Sequence, residues 1–162
     1  MSVAQCGASV VTLAAIEEIK ALKARYFRFV DSKQWAALRA LFLPEGTLHF
    51  VDRTDEPETA DTAIARIAKI LVPGVVSVHN GGIAEIEVAG DTASAIWPMS
   101  DLIVFPADRP NPFALARLHG FGHYRDRYER RDGIWRIAAL RLDRLHVETV
   151  PLPCAATKGV EA

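Results

Sequence analysis

An aspartate and a histidine in this chain are of types that can carry out acid–base chemistry, and each occupies an unusual position. Asp31 ends an apolar helical pattern, where a carboxylate opposes the helix dipole, which favours a specific role for it. His79 follows the β-branched residues 75–78 and precedes Asn80 and two glycines, so it stands at the end of a predicted strand. An aspartate bound to one imidazole nitrogen leaves the other nitrogen as a general base. Position alone equally allows structural roles, with Asp31 capping a turn and His79 packing.

The other titratable residues carry weaker signals. Asp101 shares the parity of Trp97 in a long apolar strand and is interpreted as a residue at the strand rim. Lys23 lies within the first helical stripe, and we expect its ammonium to extend to solvent. His119 and His123 lie on the charged side of a predicted strand, about 13 Å apart, which is too far to share a metal ion.

The sequence contains no motif for a cofactor or a metal ion. It has no glycine-rich phosphate loop, no nucleophile elbow and no cluster of metal-ligating residues at a known spacing. Its two cysteines, Cys6 and Cys154, stand near the two ends of the chain. We therefore expect no cofactor, no metal ion and no disulfide scaffold.

Length and composition restrict the class of protein. The chain has 162 residues, of which 50% are hydrophobic and 24% are charged, with a formal net charge of -1. These values predict one globular domain and disfavour nucleic-acid binding, which needs a basic surface. No apolar run reaches the roughly 20 residues that span a bilayer, and the start lacks a basic secretory signal. We expect a soluble cytoplasmic protein with a domain at 12–150 and flexible tails at 1–11 and 151–162.

Hydrophobic periodicity predicts three helices and then a series of strands, which is typical of the α+β class. The helices are predicted at 12–31, 35–43 and 61–71. Residues 44–46 are predicted to stop the second helix, and residues 52–61 to form a loop. The strands are predicted at 47–51, 75–80, 83–88, 92–105, 118–131 and 134–150. We expect a strongly curved sheet wrapped around the helices, with a pocket between them.

The dipeptide Asp132-Gly133 predicts a tight hairpin turn, and the pairing from this turn predicts which side chains share a face. Continued without interruption, the pairing places Tyr124 opposite Arg141. The predicted concave face contains Gly120, Gly122, Tyr124, Asp126, Tyr128, Trp135, Ile137, Ala139 and Arg141. A bulge before Arg141 would instead bring Arg144 and His146 inward, and this alternative stays open.

Three segments resemble the SnoaL-like branch of the NTF2-like superfamily. They are IEEIKALKARYFRFVDSKQWAALRALF, SVHNGGIAEIEV and GHYRDRYERRDGIWRIAALRL, and the similarity covers residues 12–150. The resemblance implies an NTF2-like (cystatin-like) fold: a cone of strongly curved mixed or antiparallel sheet whose apolar cavity is closed by three N-terminal helices. Because this fold carries many unrelated activities, function has to be argued from the site.

Within the superfamily, the pattern is most similar to the cofactor-free eliminating enzymes scytalone dehydratase, hexachlorocyclohexane dehydrochlorinase and bile acid 7α-dehydratase. This similarity implies that Asp31 and His79 form a catalytic dyad. The residues expected to bind substrate are Tyr26, Phe50, Trp97, Tyr124, Tyr128 and Arg141, with Arg144 as the alternative arginine. Phe50 stands where some dehydratases have a tyrosine, and the second histidine of scytalone dehydratase has no counterpart, so scytalone is not the expected substrate.

These features predict a cofactor-independent lyase of the dehydratase type. Its substrate would be small, mostly apolar and cyclic, or derived from a polyketide, steroid or aromatic compound. An isomerase or cyclase with the same dyad is one alternative. A non-catalytic ligand-binding protein or oxygenase small subunit is another, which predicts Asp31 and His79 apart and no enclosed pocket. The family also implies a homo-oligomer, with a trimer favoured over a dimer, and neither nucleic acid nor membrane as partner.

Overall fold

The computed structural model describes residues 10–153, in which three helices and seven strands occur. The helices are α1 (Val10–Asp31), α2 (Trp35–Ala40) and α3 (Ala60–Ile70). The strands are β1 (Phe42–Phe50), β2 (Glu58–Thr59), β3 (Val76–Gly81), β4 (Glu85–Ala89), β5 (Thr92–Val104), β6 (Leu115–Arg131) and β7 (Ile134–Pro151). Most of the two predicted tails, with both cysteines, lies outside the described residues. No helix within 10–153 is long and apolar enough to cross a membrane.

The strands form one mixed sheet in the order β2-β1-β7-β6-β5-β3, with β4 paired to β5. Pairs are antiparallel except for β1 and β7, which run parallel. The pairing of β6 with β7 shifts register at several points, and such bulges bend and twist a sheet. Because α1 packs against β3 and β7 and α3 packs against β1, the helices cover one face. The predicted α+β class with a curved sheet is confirmed.

The core lies between α1 and the inward face of the long strands. On α1 the buried apolar stripe consists of Ala15, Ile19, Leu22, Tyr26 and Val30. Lys23 lies in the same stripe and is 0% exposed, so the prediction that it reaches solvent is wrong. The physical reason is that Asp126 on β6 offers a carboxylate inside the core, which compensates the buried ammonium.

The chain between α2 and β1 differs from the prediction. The second helix ends at Ala40, before residues 44–46, and these residues lie within β1, which begins at Phe42. The parallel register with β7 shifts between Phe42 and Thr47, so Pro44 lies at an irregular position of the strand, where it is tolerated. A Cβ on Gly46 would lie 3.0 Å from the Leu43 carbonyl oxygen, which explains a glycine there. The predicted loop at 52–61 contains the short strand β2.

The β6–β7 hairpin turns where the sequence predicts it. Asp132 and Gly133 have φ angles of 53° and 75°, the left-handed pair that a tight hairpin turn needs. The pairing follows the prediction as far as Tyr128 with Ile137. The register then shifts by one residue of β7, so the predicted pairing of Tyr124 with Arg141 is wrong and Tyr124 pairs with Leu142.

This bulge inverts the faces of the later residues of β7. Arg141 lies exposed on the outer face, whereas Arg144 faces inward, so the alternative that the sequence left open describes the structure. A further register shift follows between the pairs of Phe121 and Gly122, and it returns His146 to the exposed side. The alternative left open by the sequence therefore holds for Arg144 and does not hold for His146.

Candidate active site

A mostly apolar cavity of about 280 Å3 lies between α1, α3 and the inward face of the sheet. The apolar lining consists of Val30, Phe50, Ile67, Ile70, Leu71, Ile103, Phe105, Phe113, Leu118 and Leu142. The polar lining consists of Tyr26, Arg53, Arg66, His79, Asp101, Tyr124 and Arg144. A cavity of this kind fits a small ligand with a few polar groups.

The end of α1 and strand β3 bring Asp31 and His79 together at the cavity wall. Asp31 Oδ1 lies 2.6 Å from His79 Nδ1, and Asp31 Oδ2 accepts the backbone N–H of His79 at 2.9 Å. Asp31 thus contacts both the backbone and the ring of His79, which fixes the orientation of the imidazole. Because a carboxylate accepts hydrogen bonds, Nδ1 is the nitrogen that donates. In the neutral imidazole the other nitrogen, Nε2, is then the acceptor, as a base requires. Because α1 ends at Asp31, the carboxylate can reach β3 while Tyr26 still lines the cavity.

A second carboxylate, Asp101, faces the other nitrogen of the same imidazole. Asp101 is directly opposite His79 in the β3–β5 pairing, and its Oδ2 lies 3.9 Å from His79 Nε2. Asp101 is only 1% exposed, so its predicted position at the strand rim is wrong. On the side of β5 away from β3, Asp101 lies opposite Gly120 of β6. Because Gly120 has no side chain, there is room for the side chain of Arg144 to reach Asp101.

Arg144 is the partner that keeps Asp101 ionised. Its Nη1 donates to Asp101 Oδ1 at 2.7 Å, and its Nη2 donates to Asp101 Oδ2. Burial raises the pKa of the Asp101 carboxyl, but the hydrogen bonds and the charge of Arg144 outweigh burial, so this pKa lies below its ordinary value. Burial likewise lowers the pKa of Arg144, and Asp101 more than reverses that effect. The guanidinium therefore reaches the cavity with its charge balanced.

Two buried phenols line the cavity beside these groups. Tyr26 is 2% exposed and Tyr124 is 1% exposed, and their rings meet edge to face with centroids 6.0 Å apart. Burial raises the pKa of both phenols, and the carboxylates of Asp126 and Asp101 raise both further. Both hydroxyls therefore keep their protons and can donate hydrogen bonds to a bound molecule.

The structure divides the residues expected to bind substrate into two groups. Those that line the cavity are Tyr26, Phe50 and Tyr124, together with the alternative arginine, Arg144. Trp97 and Tyr128 are buried in the core instead, where Trp97 Nε1 donates to the Tyr128 hydroxyl at 3.2 Å. Arg141 donates to Asp143 on the outer face, so its predicted position in the cavity is wrong. The cause is the bulge in β7, which turns its side chain outward.

The sequence pattern did not indicate the two charged pairs of the interior, Asp101 with Arg144 and Asp126 with Lys23. The alternation of residues in the predicted strands places both aspartates on the inward face of the sheet, and this was the one indication in the sequence that they are buried. Among residues 10–153, no group of three or more histidine, cysteine, aspartate or glutamate side chains is placed to hold a metal ion.

The arrangement can abstract a proton from carbon and stabilise the resulting oxyanion. His79 Nε2 supplies an oriented base, and Tyr26 and Tyr124 supply hydrogen-bond donors. Electrostatic contacts are stronger beside an apolar wall than in water, because the local dielectric constant is lower.

Comparisons with known proteins agree on the fold. A family model described as a SnoaL-like domain matches residues 11–141. A structure of hexachlorocyclohexane dehydrochlorinase from Novosphingobium barchaimii is similar with a TM-score of 0.70 and 18% identity, covering 93% of this chain and 97% of that chain. A protein provisionally assigned as a scytalone dehydratase, from Novosphingobium aromaticivorans, has a TM-score of 0.72 and 17% identity, with coverages of 88% and 96%.

A third similar structure is a protein of unknown function from Mycobacterium tuberculosis. It has a TM-score of 0.67 and 25% identity, and the alignment covers 84% of this chain and 76% of that chain. The likeness to the dehydrochlorinase and to the dehydratase, at 18% and 17% identity, establishes the shared fold and not a shared substrate.

Proposed function

The chain belongs to the SnoaL-like domain family, and on that premise we propose that it is a cofactor-independent lyase of the dehydratase type. The observation that carries the proposal is the hydrogen-bonded pair of His79 and Asp31 at the wall of an apolar cavity. The volume and the apolar lining favour a small, mostly apolar substrate that is cyclic or derived from a polyketide, steroid or aromatic compound.

In the proposed reaction His79 Nε2 takes a proton from the carbon next to a carbonyl group. Asp31 stabilises the imidazolium that forms, and the hydroxyls of Tyr26 and Tyr124 donate to the carbonyl oxygen as it becomes an enolate. The electron pair of the enolate then forms the carbon–carbon double bond and expels the hydroxyl group on the next carbon. The imidazolium returns its proton to that hydroxyl, so one water molecule leaves and the base is regenerated.

The pair of Asp101 and Arg144 supports this step electrostatically. The Asp101 carboxylate lies 3.9 Å from His79 Nε2 and stabilises the positive ring after proton transfer. Arg144 holds the pKa of Asp101 below its ordinary value, so the carboxylate is a poor proton acceptor and the proton stays on His79. Asp101 and Arg144 are therefore assigned as positioning residues.

A panel of cyclic β-hydroxy ketones with a single ring tests the proposed base. In D2O we expect the wild-type protein to exchange the proton next to the carbonyl for deuterium and to form the conjugated enone, followed by NMR and ultraviolet absorbance. His79→Gln removes the base and should lower both rates by a factor of at least about 100. His123→Gln is the matched control, because His123 lies on the outer face of β6.

The outcomes separate the candidate functions. Full exchange and turnover in His79→Gln would overturn the proposal. Exchange that depends on His79 but returns a rearranged ketone without loss of water would identify the isomerase or cyclase alternative. The non-catalytic alternative predicts a separated dyad and no pocket, and the 2.6 Å contact beside a cavity supports the enzyme proposal against it.

Self-association is the partner interaction that the outer face of the sheet favours. Exposed or half-buried apolar side chains lie on the outer face of the adjacent strands β3 and β5. β6 and β7 add one each, with His119 and Arg117 between. This outer apolar face consists of Val76, Val78, Leu102, Val104, Phe121 and Val150. A patch on the open side of a sheet is stabilised when a second copy covers it, which supports the homo-oligomer, with a trimer favoured, that the family resemblance implies.

A further inference from the structure

A fully buried ion pair lies directly behind the cavity. The ammonium of Lys23 on α1 donates to Asp126 Oδ2 on β6 at 2.7 Å, and both side chains are 0% exposed. Burial lowers the pKa of Lys23, and the attraction of Asp126 opposes this change. Apolar side chains can often replace such a pair without loss of stability, so stability alone does not account for it.

The ammonium is surrounded by aromatic rings on its remaining sides. Lys23 Nζ lies 3.7 Å from the centroid of the Tyr124 ring, 4.8 Å from that of Tyr26 and 5.2 Å from that of Phe27. An ammonium has three N–H donors, of which Asp126 accepts one, and aromatic faces can receive the others. Tyr26 and Tyr124 also line the cavity, so the charge lies one ring away from a bound molecule.

Asp126 is held in place by a chain of hydrogen bonds from the core. Its Oδ2 also accepts from the Tyr128 hydroxyl at 2.7 Å, and that hydroxyl accepts from Trp97 Nε1 at 3.2 Å. Its Oδ1 is buried without a hydrogen-bond partner among residues 10–153. This arrangement fixes the carboxylate, and through it the position of the Lys23 ammonium against the phenols.

We propose that Lys23 is a positioning residue of an oxyanion site, and that its ammonium, held by Asp126, aligns Tyr124 and Tyr26 to bind a planar enolate or phenolate. The inference rests on the proposed function, because Tyr26 and Tyr124 are the hydrogen-bond donors of the proposed reaction. A cation at the face of a phenol strengthens its hydroxyl as a donor, because it stabilises the electron density that moves into the ring. Removing the cation should therefore weaken the binding of anions more than the binding of neutral ligands of the same shape.

4-Nitrophenol tests this inference without knowledge of the substrate. It has one ring, and its absorbance reports whether it is bound as the phenol or as the yellow phenolate. 4-Nitrotoluene, in which a methyl group replaces the hydroxyl, is the matched neutral ligand. Dissociation constants for both are measured by calorimetry, and the apparent pKa of bound nitrophenol is measured by absorbance.

The main variant is Lys23→Met/Asp126→Asn, which removes both charges together and leaves neither buried alone. We expect it to weaken the binding of nitrophenolate at least tenfold, which is about 1.4 kcal/mol of binding free energy. The apparent pKa of bound nitrophenol should rise by about one unit. Binding of nitrotoluene should stay within about twofold. Lys20→Met is the control, because Lys20 lies on the same helix with its side chain 49% exposed.

Equal weakening of both ligands, or an unchanged preference for the anion, would overturn the inference. Should the double variant fail to fold in thermal denaturation, Lys23→Gln/Asp126→Asn decides. It also removes both charges but keeps two side chains that can hydrogen-bond to each other, so the preference for nitrophenolate should fall at least threefold.

The inference and the proposed function fail in different ways. If His79→Gln abolishes exchange while the charge variants leave the preference for the anion unchanged, the proposed function stands and the inference is wrong. If wild-type protein shows no exchange that depends on His79, the proposed function is wrong whatever nitrophenol does.

Discussion

At the scale of single residues, the interior depends on how its carboxylates are paired. The pairs are Asp31 with His79, Asp101 with Arg144 and Asp126 with Lys23. Each carboxylate thereby faces a proton donor or a cation, which offsets the cost of removing it from water. Because the three pairs share no residue, substitutions can alter one pair at a time. Asp31 with His79 supplies the base, Asp101 with Arg144 supports it, and Asp126 with Lys23 lies against the phenols.

Asp101→Asn should destabilise the protein in a pH-dependent way. Arg144 holds the pKa of Asp101 below its ordinary value, so the ionised carboxylate stabilises the folded state above the unfolded pKa of about 3.9. This stabilisation is lost as the pH falls through the lower folded pKa. We expect the variant to lose about 2–4 kcal/mol of unfolding free energy near neutral pH, measured by urea denaturation.

The difference between wild type and Asp101→Asn should shrink as the pH falls below about 3.9, since the wild-type carboxyl then becomes neutral as well. Asp108→Asn, at an exposed loop position, is the control and should show no difference at any pH. A loss of stability that is the same at every pH would contradict the assignment of an ionised Asp101.

At the scale of elements, irregularities in β7 decide what the cavity contains. Strand residues alternate between faces, so the extra residue near Ala138 turns Arg141 outward and brings Arg144 inward. The arginine can then cross to Asp101 only because Gly120 lies opposite on β6. A Cβ at Gly120 would overlap with Arg144 Nη1 and Asp101 Oδ1.

Gly120→Ala should therefore separate Asp101 from Arg144 without removing either charge. We expect a loss of about 1–3 kcal/mol of unfolding free energy from overpacking, together with reduced deuterium exchange in the ketone assay. Gly82→Ala is the control, because its Cβ would lie 3.3 Å from Pro98 and needs only a small adjustment. Equal effects of the two substitutions would refute the account of Gly120.

At the scale of the whole molecule, the two faces of the sheet have different tasks. The inward face carries the cavity, and the outer apolar face remains open, with Val76 55% exposed and Val78 42% exposed. Covering such a face removes apolar surface from water at about 25 cal/mol per Å2. Assembly of identical subunits is the arrangement we propose for it.

Val78→Asp/Val104→Asp should convert the protein to monomers. Charges placed on two adjacent strands of the outer apolar face cannot be buried without a large desolvation cost. We expect sedimentation to show a trimer for wild type and a monomer for the variant, with Val51→Asp, outside this face, as the control that keeps the wild-type mass. A monomeric wild type at micromolar concentration would refute self-association.

The local pattern of the sequence was sufficient for the three helices, the long strands and the hairpin turn, but not for β2 or for the start of β1. Helical spacing, strand alternation and the Asp132-Gly133 turn depend on neighbouring residues, so they can be read without the fold. The candidate dyad was also accessible, because Asp31 ends a helix, His79 lies near the end of a strand and both match the pattern of a family. Its 2.6 Å contact joins residues 48 positions apart, and only the packing of α1 on β3 produces it.

The sequence by itself determined an α+β domain of the SnoaL-like family, its order of elements and the residues to examine first. Only the tertiary structure decided that Arg144 enters the cavity, that Asp101 is buried and that Lys23 finds a partner 103 positions away. The physical reason is that one extra residue in a strand inverts the side chains that follow it, up to the next irregularity. A buried charge, likewise, is stable only where distant elements bring the opposite charge to it.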